Sequence, residues 1–171
     1  MKMLISSLLA TITFTTFASK KDDNENLRDL FDKVDSEEDL DDILEYQTKM
    51  KGTISEAYFG SVIVMKAQYP FSPIKKIKYY SEGTKFIEKS ISTKKVIENT
   101  YLRLLIQLNT PRFLGYYQNI QEDITFIEQH IDTCTLSNKW RITLLEQIML
   151  FEDEDYNYQV LKDKLAKYKT P

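Results

Sequence analysis

The sequence predicts an all-α protein of about seven or eight helices arranged as antiparallel hairpins. Apolar residues recur at helical spacing from about Asn24 onward, and no segment alternates as a half-buried strand would. Eleven tyrosines and nine phenylalanines against four glycines and four prolines favour bulky helix packing over a loop-rich fold. Polar connectors between the periodic segments are short, which sets successive helices antiparallel.

Leu27, Leu30, Phe31 and Val34 mark a first short helix. Ser36-Glu37-Glu38-Asp39 reads as a capping box that places acids at the positive end of the next helix, whose buried face is Leu40, Ile43, Leu44 and Gln47. The third helix, Ile54 to Ala67, carries Ala57, Gly60, Ser61 and Val64 on one side, a strip of small residues that lets a neighbour approach closely. Ser72-Pro73 starts the fourth helix with an N-cap and a proline at the first helical position. Its predicted face is Ile74, Ile77, Tyr80, Thr84, Ile87 and Ile91. Gly83 in its middle would cost about 1 kcal/mol relative to alanine, so close packing of this helix on the Ala57/Gly60 strip is expected.

The fifth helix runs from about Lys94 to Asn109, and the sixth shows Ile120, Ile124, Ile127 and Ile131 at steps of four, three and four. The seventh, about Lys139 to Phe151, buries Trp140, Leu144, Leu145 and Ile148, and the last, from about Asn157, repeats the rhythm with Tyr158, Leu161, Leu165 and Tyr168. Helices three to six form two successive pairs of about forty residues each, which points to a short tetratricopeptide-like stack, with an irregular bundle as the alternative.

The fifth helix and the turn after it form the most informative stretch. Ile97, Tyr101, Leu104, Leu105 and Leu108 share one face, Leu102 and Ile106 widen it, and Asn99, Arg103 and Gln107 form a narrow polar stripe. Such a helix is central, so Arg103 needs a buried carboxylate; Asp123 is the first candidate, with Glu122 and Glu98 behind it. Pro111 stops the helix, Phe113 and Leu114 are expected to plug back onto the core, and Gly115 can supply a positive φ. Arg103, Gln107, Pro111, Phe113, Gly115 and Asp123 together read as a structural motif. A competing use of the same stretch is contact of Arg103 and Arg112 with an anion or a peptide carboxylate.

YYSEGTKFIEKSI and ENTYLRLLIQLNTPRFLGYYQNIQEDITFI, within residues 53–132, resemble a group of small exported helical proteins of Bacteroidetes-type bacteria. The resemblance implies a tetratricopeptide-like fold and an envelope location, and carries over no catalytic residue.

Export is also the expectation from the first residues. Lys2 precedes an uncharged stretch from Met3 to Ser19, after which Lys20, Lys21, Asp22 and Asp23 restore polarity, as in a secretory signal peptide spanning residues 1–19. Its apolar part is too weak and short for a membrane span. The remainder, residues 20–171, has the size of one domain, and no cysteine stands near the expected cleavage site to take a lipid. Cys134 is the only cysteine, so no disulfide forms within the chain and the core alone must stabilise it.

Charge and chemistry narrow the function classes. With 23 basic and 26 acidic residues the chain is mildly acidic, which disfavours nucleic acid as a partner. Twelve acids stand against four bases between Lys20 and Glu45, whereas eight lysines stand against two glutamates between Lys66 and Lys95. His130 and Cys134 are two potential ligands without an evident third, so no metal site is expected. Glu152-Asp153-Glu154-Asp155 lacks the alternation and glycine of a calcium loop and reads as a solvated connector. No phosphate-cradling loop, nucleophile elbow or cofactor motif is present in the sequence. The resulting expectation is an exported, non-catalytic interaction module of the periplasm or cell surface that binds a protein or peptide. A carrier of an apolar ligand is the second reading and an enzyme the third.

Overall fold

A computed structural model describes residues 23–170. The expected signal segment lies outside the described residues. Eight α-helices account for the described chain: α1 (Asp23–Phe31), α2 (Glu37–Gln47), α3 (Thr53–Lys66), α4 (Pro73–Thr93), α5 (Ile97–Asn109), α6 (Ile120–His130), α7 (Asn138–Leu150) and α8 (Gln159–Lys169), with one 3₁₀ turn at Arg112–Leu114. Among the described residues there is no strand.

The helices pair in chain order, α1 with α2, α3 with α4, α5 with α6 and α7 with α8. The odd-numbered members also touch in succession, α1 on α3, α3 on α5 and α5 on α7. The molecule is therefore a row of four hairpins with one layer of odd helices, a packing compatible with both expected arrangements. One apolar core runs through the row, from Leu27 and Leu40 at one end through Leu104, Ile124 and Ile127 to Leu145 and Leu161 at the other.

Local chemistry accounts for the helix boundaries. Ser36 Oγ accepts from the Asp39 amide while the Asp39 carboxylate accepts from the Ser36 amide, closing the capping box of α2. Asn99 Oδ1 accepts from the Val96 amide at 2.9 Å and delays the start of α5 to Ile97, three residues later than the periodicity indicates. Gly115 adopts φ +73°, the left-handed conformation that ends the 3₁₀ turn.

The tightest interface is α3 against α4. A methyl group added at Gly60 would lie 2.5 Å from the Gly83 carbonyl oxygen, and one at Gly83 would run into the Val64 side chain and amide. Only the absence of both side chains lets the backbones meet, which is the close packing the sequence predicts.

Three expected burials fail. Ile74 and Ile77, expected in the α4 core face, are 80% and 57% exposed. The cause is direction: at about 100° per residue Ile77 and Ile74 lie about 120° and 180° around α4 from Gly83, which faces α3. Phe113 is 86% exposed and does not plug the core; it stands in the 3₁₀ turn beside the half-buried Leu114.

Candidate functional site

α5 is buried along almost its whole length and sends charged side chains in two directions. On one side Arg103 donates from Nε to Asp123 Oδ2 at 2.8 Å and from Nη2 to Asp123 Oδ1 at 2.6 Å, and from Nη1 to Glu88 Oε2 at 3.0 Å. Gln107 donates to Asp123 Oδ2 at 3.0 Å and accepts the Asn119 amide at 3.1 Å, fixing the entry to α6. Asn99 completes the stripe by donating to Ser90 Oγ and the Lys94 carbonyl. Tyr116 adds a 2.5 Å bond to Glu88, and Lys95 pairs with Glu122 while lying 3.6 Å from Asp123. Glu98, expected behind Asp123, instead turns away to α1, where it pairs with Arg28.

Electrostatics follow from this closure. Burial pulls the Arg103 guanidinium down, but the hydrogen bonds and charges of Asp123 and Glu88 outweigh it and hold the group well above its ordinary value. Burial raises the Asp123 carboxyl against the pull of Arg103 and Lys95. None of the buried polar atoms that lack a partner belongs to this cluster. Three of the five Arg103 N–H groups are engaged and the residue is 4% exposed, so it presents no open face to an external anion. Arg112 is separate: it binds Asp153 and Asp155 at 2.6 and 2.7 Å on the α7–α8 connector, so the two arginines do not converge on one site. The acidic run Glu152–Asp155 is thus a partly neutralised connector, with Glu152 on Lys162.

The other side of α5 faces a cleft. The odd layer encloses a volume of about 470 Å³, walled by Phe31 of α1, Tyr58 and Met65 of α3, Tyr101 and Leu105 of α5, and Trp140 of α7. Its charged edge is the pair of Arg28 with Glu98, bidentate at 2.6 and 2.8 Å, on which the Tyr58 hydroxyl also leans at 3.4 Å. Gln147 donates to Asp32 at 3.1 Å across the α7 and α1 sides. Burial, reinforced by Glu98, raises Tyr58 and Tyr101 well above the ordinary tyrosine value, so both hydroxyls remain protonated. Trp140 Nε1 is buried without a hydrogen-bond partner.

The cleft lining also carries groups that match a ligand's chemistry. Gln68 just beyond α3, Asn109 at the end of α5 and Gln147 near the end of α7 bring side-chain amides from three successive odd helices to it. An amide both donates and accepts, matching the groups of a peptide backbone. Sequence reasoning missed the cleft, Glu88 and Tyr116, because each depends on which helices become neighbours. The amides at the ends of helices three, five and seven were the available signal.

The remaining chemistry-bearing residues have ordinary local roles. His130 stacks on Phe126 and bonds the Phe126 carbonyl, and Cys134 donates to the Ile131 carbonyl. Among the described residues no group of three or more His, Cys, Asp or Glu could hold a metal ion. In comparisons with known proteins, the chain matches no protein-family model, no curated protein and no solved structure.

Proposed function

We propose that the protein is a non-catalytic interaction module whose cleft between α1, α3, α5 and α7 binds a peptide segment of a partner protein, and that it acts after export to the cell envelope. The observation that carries the peptide reading is the conjunction in one cleft of an aromatic and aliphatic wall with amide side chains from the C-terminal ends of three odd-numbered helices, α3, α5 and α7. The wall would seat an apolar or aromatic side chain, and the amides would satisfy the backbone polar groups beside it. The cleft volume of about 470 Å³ is also in the range of small-ligand sites, which supports an apolar carrier as the second reading. The uncharged stretch from Met3 to Ser19 supports export, and the resemblance of residues 53–132 to small exported helical proteins points the same way.

Selection of a displayed random-peptide library on the immobilised full chain tests the reading. Peptides with a shared aromatic or aliphatic anchor should emerge, and Gln68→Ala should weaken them about fivefold without changing thermal stability, since a lost hydrogen bond is worth roughly 1 kcal/mol. Failure to select any peptide, together with a lipid-soluble molecule extracted from the purified protein, would favour the carrier instead.

A further inference from the structure

We propose that the N-terminal half of α4 and the corner before it form a docking surface for an anionic lipid bilayer. Gly60 and Gly83 fix where α3 and α4 cross, and the two helices run antiparallel from that point. From that contact α3 runs on six residues to Lys66 and α4 ten residues back to Pro73, so the first four residues of α4, about 6 Å of helix at 1.5 Å per residue, outrun α3. At about 100° per residue Ile77 and Ile74 lie about 120° and 180° around α4 from Gly83, on the side turned away from α3, and are 57% and 80% exposed. Phe71, at the corner that leads into the helix, is fully exposed. Tyr116 packs edge-to-face on Tyr80, and its connector adds the exposed Phe113.

Charge distinguishes the occupant. From Phe71 to Ser81 the chain carries Lys75, Lys76 and Lys78 and no acid. No carboxylate pairs with any of the three among the described residues; Lys33, Lys49, Lys51, Lys85 and Lys94 also lack one, but only Lys75, Lys76 and Lys78 cluster within four residues beside exposed apolar side chains. At about 100° per residue, Lys78 and Lys75 flank Ile74 on one side, and Lys76 flanks Ile77 on the other. An apolar stripe bordered by lysines without carboxylate partners is the pattern of a helix that lies in a membrane interface: the isoleucines and Phe71 enter the acyl boundary, and the ammonium groups remain at the anionic headgroups. No helix among the described residues is long and apolar enough to cross a membrane, so attachment through this face is interfacial.

Co-sedimentation of the full chain with vesicles tests this, using phosphatidylcholine alone or with about 30% phosphatidylglycerol. Because the first residues are themselves apolar, every comparison is made between full-length variants. The wild type should partition about tenfold more strongly onto the anionic vesicles, with a several-fold loss between about 50 and 300 mM salt. Ile74→Glu with Ile77→Glu should remove at least about fivefold of that partition, and Lys75→Gln with Lys78→Gln should flatten the salt dependence, with helicity and thermal midpoint unchanged. If the glutamates lower helicity, the same pair changed to glutamine takes their place. Equal partition of wild type and variants, or equal partition on both vesicles, would overturn the proposal. So would a lipid-independent dimer that the glutamates dissociate, which would assign the face to a second copy.

Discussion

Two arginine–carboxylate pairs flank α5, and they differ in what surrounds them. Arg103 with Asp123 is sealed: Gln107, Glu88 and Lys95 close the cluster, and the Asp123 side chain has no solvent exposure. Arg28 with Glu98 has the same bidentate geometry but borders the cleft. The first arrangement joins α4, α5 and α6 through bonds buried from solvent, which makes it a structural clamp. The second joins α1 to α5 at the place where a ligand would enter. Geometry alone does not separate clamp from site; access does.

Breaking the sealed pair should have the largest effect. Arg103→Met leaves Asp123 buried without its cation and should cost about 3–5 kcal/mol in chemical denaturation. The double variant with Asp123→Asn should lose much less than the sum of the single losses, whereas additive losses would show the two residues to be uncoupled. Gly60→Ala comes next: alanine ordinarily favours a helix, but here its methyl meets the Gly83 backbone, so a loss of roughly 1–3 kcal/mol is expected instead of a gain. Arg28→Met should cost about 2 kcal/mol, less than Arg103→Met because cleft water can reach Glu98, and it should change peptide affinity where Arg103→Met does not.

Surface pairs complete the series. Lys164 and Tyr168 hydrogen-bond Asp132 and pull its carboxyl down to about 2. A lowered acid stabilises the fold above its unfolded value near 3.8 and loses that contribution as pH falls toward 2. Asp132→Asn should therefore leave a shallower decline of stability across that interval, read from denaturation midpoints at successive pH values. Arg112→Met, at a site 51% exposed against 5% for Arg103, should leave the midpoint unchanged within error.

The division between clamp and cleft also explains what the sequence could reveal. Arg103 within an apolar helix demands a carboxylate, and Asp123 at the start of the next helix is close enough along the chain to be named. Gly60 and Gly83 announce their contact because helical glycine is otherwise unfavourable. Glu98 finds Arg28 seventy residues away, and no local pattern encodes that partner. Ile74, Ile77 and Phe113 mislead for a related reason: local spacing marks apolar residues, but the packed fold decides which side of a helix or turn meets a neighbour. The cleft is legible last, since it belongs to a layer of four helices rather than to any segment.

Two-dimensional NMR of the full chain during titration with a selected peptide tests the central claim most directly. Shifts should concentrate on the Trp140 indole and on the side-chain amides of Gln68, Asn109 and Gln147, with the Asn99 and Gln107 amides unmoved. Shifts centred on Gln107 and Asn119, with the Trp140 indole unmoved, would contradict it and move the binding site to the sealed cluster around Arg103.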